Sequence, residues 1–375
     1  MSSQGDAREL SLRRGCTVGE AAAIVRHHLC SLWSHPQHST TIAPLMLWGP
    51  PGVGKSAVIR QICEDEAIGF LDVRLAQREP VDIRGLPVPR EDGVHWLTAA
   101  EWPREGRGII LFDELTAADR SLQVAAYEFI LDRRLGDLYR VPDGWYLCAA
   151  GNRGEDRAVA LTMSSALANR FCHLEIEADV ECWVHWALAQ NVNPLVIGFI
   201  RFQPQVLYRP EGDLQQGWPT PRGWERVGLE LDLARSQGLD ERSLRLVVQG
   251  IVGPTAATEL FAYLAWADRL PEVEAMLRGT TPLALPERAD QRYALCTAAV
   301  HFAQRFPELV DGLLRLGLEL PPDFAAMTII DYLNARGPQR VEERARELFA
   351  HPAFAAWKRR HGASFRERFA SMTDD

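Results

Sequence analysis

The chain has 375 residues, 47% hydrophobic and 24% charged, with a formal net charge of −9. This is the balance of a globular chain with material for two or three domains, and its sign argues against a surface built throughout to grip nucleic acid. No apolar run approaches the roughly 18–20 residues a membrane span needs. The opening MSSQGDARELSLRRG has no apolar leader core, and seven cysteines without a CxxC read as reduced thiols, so a cytoplasmic location is expected.

In chain order, residues 17–35 read as an amphipathic helix. Thr17 is its N-cap and Glu20, three residues on, completes a capping box. Residues 44–49 form a short apolar strand, and AVIRQICEDEA after the glycines has helical periodicity. Residues 68–75 and 108–113 are further strands, the latter apolar enough to be buried on both faces of a parallel sheet. A helix over 121–134 and strands over 144–152 and 171–177 complete an alternating pattern. The fold class expected is therefore α/β, a five-stranded parallel sheet with helices on both faces. From 178 onward strand signals vanish. Helices are expected over 179–190, 194–202, 222–236, 240–251, 255–268, 288–305, 307–317, 323–335 and 340–370. The stretch 207–221, rich in Pro and Gly, reads as a hinge. The expected domains are 1–206, with the N-terminal helix and nucleotide-binding sheet, an all-α lid over 207–275, and a helical extension over 276–375.

Gly49-Pro50-Pro51-Gly52-Val53-Gly54-Lys55-Ser56, followed by Ala57, matches G-x-x-x-x-G-K-[ST] between an expected strand and an expected helix. That context makes the motif specific. Gly49, Gly52 and Gly54 let the backbone wrap with its N–H groups inward, where they and the helix N-terminus bind phosphate oxygens. The chain has 41 Lys and Arg, and Lys55 and Lys358 are the only lysines. A lysine is kept at 55 because a compact ammonium reaches between β- and γ-phosphates, where a wide guanidinium does not. Ser56 is the expected Mg²⁺ ligand. The strand ending in Asp113 and Glu114 places both carboxylates where open α/β sheets bind ligands. Asp113 is expected to hold Mg²⁺ and Glu114 to polarise the attacking water. Asn152, after another apolar strand, is placed to orient that water or to read the γ-phosphate. The cofactors expected are ATP and Mg²⁺.

The order of these motifs resembles the AAA+ ATPases, and within them the MoxR-like branch, over about residues 17–275. By position, Asn152 resembles sensor 1. Arg170, in SSALANRF, resembles the arginine finger that enters a neighbouring subunit's site. Arg222, in WPTPRGWERV, resembles sensor 2. The segment Arg78-Glu-Pro-Val-Asp82-Ile-Arg84-Gly85 also resembles the branch. A hairpin insert follows, with its turn expected at Asp92-Gly93 and Trp96 either near a client or packed on its own domain. The resemblance implies a ring, a homo-hexamer, that hydrolyses ATP to remodel a protein client, with a von Willebrand A-domain protein as a partner. Two other readings stand beside it: a nucleic-acid motor or restriction-type subunit, and a nucleotide-switched scaffold. The 100 or so residues after 275 match no familiar pattern.

Weaker features have blander readings. Cys172, His173, Cys182 and His185 have suggestive spacing, but the first two fall on an expected buried strand and read as packing. His35 and His38 flank a loop. The basic, aromatic segment 357–369 reads as a solvated helix face. Arg133 and Arg134 are read either as reaching an adjacent subunit or as pairing with acids of the sheet.

Overall fold

The computed structural model describes residues 15–153, 163–210, 216–267, 273–334 and 338–373. Residues 1–14 and, within the expected hinge, 211–215 lie outside the described residues, as do 268 and 335 at the ends of two expected helices. The chain divides into two compact units, Met1–Glu177 and Ala178–Asp375.

The first unit begins with α1 (Val18–Ser34), whose capping box is formed: the Glu20 N–H donates to Thr17 Oγ1 at 3.1 Å and the Thr17 N–H to the Glu20 carboxylate at 2.6 Å. Its apolar stripe, Ala21, Val25, Leu29 and Leu32, is fully buried. Then come β1 (Leu45–Trp48), α2 (Lys55–Asp65), β2 (Gly69–Arg74), a short α3 (Pro80–Arg84) and the hairpin β3 (Leu86–Arg90) and β4 (Gly93–Leu97). After them run β5 (Gly108–Asp113), α4 (Arg120–Asp132), a small ribbon of β6 (Arg134–Leu135) and β7 (Tyr139–Arg140), β8 (Trp145–Gly151), α5 (Ser165–Ala168) and β9 (Cys172–Glu175).

Five of these strands form one sheet in the order β2-β5-β8-β1-β9, every pair parallel. The α/β class and the five-stranded parallel sheet expected from the sequence are what the chain has. Parallel strands need cover on both faces. Ile110, Phe112, Met46 and Leu147 pack with Phe129 of α4 in one cluster. The alternate residues Ile109, Leu111, Leu45 and Leu47 are equally buried, with α1 and α2 packed on the sheet.

The edge strand differs from expectation. In β9, Cys172 and Leu174 are half-buried while His173 and Glu175 are exposed, because only β1 flanks it. The segment before α1 covers part of this edge: the Cys16 N–H donates to Glu175 O at 2.7 Å and the Glu177 N–H to Cys16 O at 3.0 Å.

The insert is pinned at one end and open at the other. Ile83 of α3 is fully buried, whereas every β4 side chain is exposed and Trp96 is 45% exposed. Arg90 pairs with Gly93, so the turn is Glu91-Asp92, one residue earlier than expected. Gly93, at φ 138°, begins the returning strand. Arg133 corrects a second reading. It caps α4 with φ 55°, is buried, and donates to the carbonyls of Pro142 at 3.0 Å and Trp145 at 2.7 Å. It braces its own fold and has no exposed guanidinium to offer a neighbour. Burial, partly offset by Asp143, lowers its pKa. Arg134 lies 3.6 Å from Glu128.

Among its described residues the second unit is helical throughout: α6 (Val180–Ala189), α7 (Pro194–Phe202), α8 (Pro221–Gln237), α9 (Glu241–Val252), α10 (Pro254–Ala267), α11 (Val273–Arg278), α12 (Ala289–Arg305), α13 (Val310–Glu319), α14 (Pro322–Leu333), α15 (Pro338–Ala350) and α16 (Phe354–Thr373). The single helix expected over 340–370 is two, because Pro352 has no N–H to continue the ladder. None of the described helices is long and apolar enough to cross a membrane. Trp224 and Trp357 are fully buried in one core that also holds an ion pair, Arg201 of α7 with Asp331 of α14, both nearly sealed from water. Burial works against the Arg201 charge, and Asp331 more than restores it, so its pKa is raised.

Asp331→Ala leaves that guanidinium buried and unpaired. It is expected to destabilise the second unit by about 3–5 kcal/mol in urea unfolding, and a loss under about 1 kcal/mol contradicts this. Trp96→Ala, on the open ribbon, is expected to change stability by no more than about 0.5 kcal/mol in the same assay.

Candidate functional site

The C-terminal ends of β1, β5 and β8 lie side by side, and each delivers part of one cluster. The loop after β1 turns on three glycines with positive φ, Gly49 at 148°, Gly52 at 82° and Gly54 at 104°. At Gly49 a Cβ would stand 2.6 Å from the Ile176 carbonyl oxygen, so no other residue fits. The loop residues Pro50, Pro51 and Val53 lead into α2, which starts at Lys55 with Ser56 and Ala57 in its first turn. Gly54 is its N-cap and supplies no side-chain oxygen, so the cap leaves the positive end of the helix available to an anion.

Lys55 is only 8% exposed. Its ammonium donates to Gly49 O at 2.5 Å, Pro50 O at 2.9 Å and Asn152 Oδ1 at 3.0 Å. Next to it, Ser56 Oγ donates to Asp113 Oδ2 at 2.5 Å, joining α2 to the end of β5. The other Asp113 oxygen accepts the Glu114 N–H at 2.8 Å. Glu114 is exposed and sits at φ 57°, a left-handed conformation that a glutamate rarely adopts. The chain is held there from both sides, because the Leu115 N–H donates to Ala150 O at 3.0 Å and the Ala117 N–H to Glu114 O at 2.9 Å. The result is a free carboxylate beside a carboxylate–hydroxyl pair.

Asn152 is fixed by a residue that the sequence pattern does not single out. Thr116, 2% exposed, donates from Oγ1 to Asn152 O and accepts the Asn152 N–H, both at 3.1 Å. A single threonine 36 residues upstream carries no local signal, since its partner is brought to it only by the β5–β8 pairing. A second unforeseen link concerns His173. Trp48, the residue before Gly49, donates from Nε1 to His173 Nδ1 at 2.7 Å, and His173 Nε2 lies 2.7 Å from Ala168 O. The imidazole therefore carries its proton on Nε2. It ties β1 to the end of the helix that precedes Arg170. Arg153, beside Asn152, pairs with Glu175 at 2.9 Å.

Thus Lys55 is bonded to Asn152 and the adjacent Ser56 to Asp113, with Glu114 adjoining. Arg170 stands apart: its side chain is 58% exposed, with Asp132 at 4.0 Å. Arg222 lies in the second unit, exposed in the first turn of α8 after the Thr220 cap. Chemically, the loop and buried ammonium suit a polyanion. The Ser56–Asp113 oxygens suit a hard divalent cation. Glu114 suits the orientation or deprotonation of water.

No protein-family model matches the chain. Midasin of Giardia intestinalis is 32% identical over 94 residues, 24% of this chain and 2% of that protein, so the chain spans a small fraction of that relative's length. Among solved structures, the RuvB Holliday junction branch migration motor of Thermotoga maritima shares 16% identity over 80% of this chain and 87% of that one, at a TM-score of 0.37. NtrX from Brucella abortus, in complex with ADP, shares 18% identity over 91% of this chain and 69% of that one, at a TM-score of 0.32. The α/β class is defined by the strand order and parallel register of the five-stranded sheet.

Thr116→Val keeps the shape and removes both bonds to Asn152. It is expected to cost about 1–3 kcal/mol in chemical denaturation, and a change under about 0.5 kcal/mol would mean that Asn152 is held by other means.

Proposed function

We propose that the chain is an AAA+ ATPase of the MoxR-like branch that hydrolyses Mg-ATP in a ring of copies, a hexamer, and uses the cycle to remodel a protein client. The observation that carries this reading is the bonded set Lys55–Asn152 and Ser56–Asp113 at the uncapped start of α2. It brings the polyanion donors, the hard-cation oxygens and the polar amide from three adjacent strand ends into one place.

The residues present fit both ATP and Mg²⁺. Ser56 and Asp113 would hold the metal, which supplies positive charge to offset that of the phosphates. The glycine-shaped loop 49–54 and the first N–H groups of α2 bind phosphate oxygens. Lys55 exchanges its loop carbonyls for β- and γ-phosphate oxygens. Glu114 orients the attacking water and takes its proton, and Asn152 holds the water or the γ-phosphate in line. Arg170 acts on a neighbour's site: an exposed guanidinium with one loose contact gives up little to leave it. Arg222, by its position in WPTPRGWERV, takes the part of sensor 2. The open ribbon of β3 and β4 offers Trp96 and Val94, 45% and 63% exposed, to a client or to a von Willebrand A-domain partner.

Two tests separate the parts of this reading. Glu114→Gln is expected to bind ATP with near wild-type affinity and to release phosphate about 10²–10⁴-fold more slowly. Wild-type turnover in that variant would remove Glu114 from catalysis. Arg170→Ala is expected to bind ATP normally and hydrolyse it poorly. Mixed with Lys55→Ala chains it should regain activity, because some interfaces then pair an intact loop with an intact finger. Activity per chain that stays constant on dilution to the monomer contradicts a shared site.

A further inference from the structure

The second unit contains a cleft of about 650 Å³ between the ends of α6, α12, α14 and the start of α15. Among its described lining residues are four nitrogen bases, His301, Arg305, Arg340 and Arg344, and no carboxylate. That concentration is unexpected in a chain of net charge −9.

Part of the charge has a local explanation. Helix C-termini favour cations, and Arg344 donates to Asn334 O at 2.5 Å and Tyr332 O at 3.3 Å at the end of α14. Gln304 donates to the Asp331, Tyr332 and Asn334 carbonyls at 2.8, 3.3 and 3.0 Å. The Asp331, Tyr332 and Asn334 carbonyls at the end of α14 thus have side-chain donors. Arg305 and Arg340 are not used this way. Among the described residues neither has a hydrogen-bonded or ion-paired partner, and Arg305 only lies over the Phe306 ring at 5.5 Å. Arg340 and Arg344 are one turn apart on α15, a like-charge pair that opposes itself. Burial and then Arg340 depress the Arg344 pKa, against Tyr332 and Glu347. His301 is likewise lowered by burial and by Arg305, with Asp232 opposing. Asp331, close by, is taken by Arg201.

We propose that this cleft is an anion site for a small phosphorylated molecule, with Arg305 and Arg340 as its principal phosphate contacts. The volume lies within the roughly 300–1,000 Å³ of small-molecule sites. Gln190 and Asn191 at the end of α6 line the same walls and supply amides that can read a polar group beyond the phosphate. A small ligand fits better than a nucleic acid, because the cations line a concavity and the acidic remainder of the chain repels a long polyanion.

The test uses the full chain carrying Lys55→Ala, which removes the charge of loop 49–56, and inorganic pyrophosphate as the probe in isothermal titration calorimetry at low ionic strength. Pyrophosphate is expected to bind at one site per chain, and adding Arg305→Gln and Arg340→Gln should weaken it at least about 10-fold. Arg305→Lys with Arg340→Lys should recover part of that loss. Both side chains are exposed, so unchanged circular dichroism and melting are expected in each variant. The proposal is overturned by the absence of binding to the Lys55→Ala chain, or by equal affinity in the glutamine variant. A single-stranded oligonucleotide that binds through these arginines more tightly than pyrophosphate also overturns it. Since Lys55→Ala is common to every variant, the difference between them reports on Arg305 and Arg340 and is independent of whether residues 49–56 bind ATP.

Discussion

A buried ammonium governs the first unit. Lys55 is 8% exposed, and removing its charge from water is tolerable only because Gly49 O, Pro50 O and Asn152 Oδ1 surround it. The loop that brings the Gly49 and Pro50 carbonyls to one nitrogen turns through positive φ at Gly49, Gly52 and Gly54. The arrangement also depends on the strand order: Asn152 reaches Lys55 because β8 is hydrogen-bonded beside β1, and Asp113 reaches Ser56 because β5 flanks β8. The carbonyls held by the ammonium are weak partners compared with phosphate oxygens, so the same geometry is poised to exchange them.

The strained backbone at Glu114 follows from the same arrangement. Asp113 is committed to Ser56 on one oxygen and to the Glu114 N–H on the other. The chain must then turn at once so that Leu115 can bond Ala150. A left-handed glutamate projecting from the strand end is the outcome, with its carboxylate left free for chemistry while its neighbours are fully used.

Local signals carried most of this. The glycine-lysine loop, the run Ile109–Asp113 and the Thr17–Glu20 box each combine residue type and spacing within a few positions, so the elements and four bonded site residues were legible. What was not legible depends on pairing across the sheet or on context. Thr116 acquires its role from Asn152, 36 positions away, and His173 from Trp48, 125 positions away. Arg133 reads as an exposed charge until the carbonyls of Pro142 and Trp145 are placed around it. The turn shifted to Glu91-Asp92 because Gly93 serves the strand. In the second unit, periodicity found the helices but could not distinguish Arg344, which donates to the end of α14, from Arg305 and Arg340, which do not.

The central claim is that the loop ending in Lys55 is a di- and triphosphate site. The most direct measurement is the affinity of the full chain for ADP compared with AMP. Charge-assisted hydrogen bonds worth about 1.5–3 kcal/mol predict that ADP binds roughly 10–100-fold more tightly, and that Lys55→Ala removes most of the difference. Equal affinity for the two nucleotides, or a preference for ADP that survives Lys55→Ala unchanged, would contradict the account.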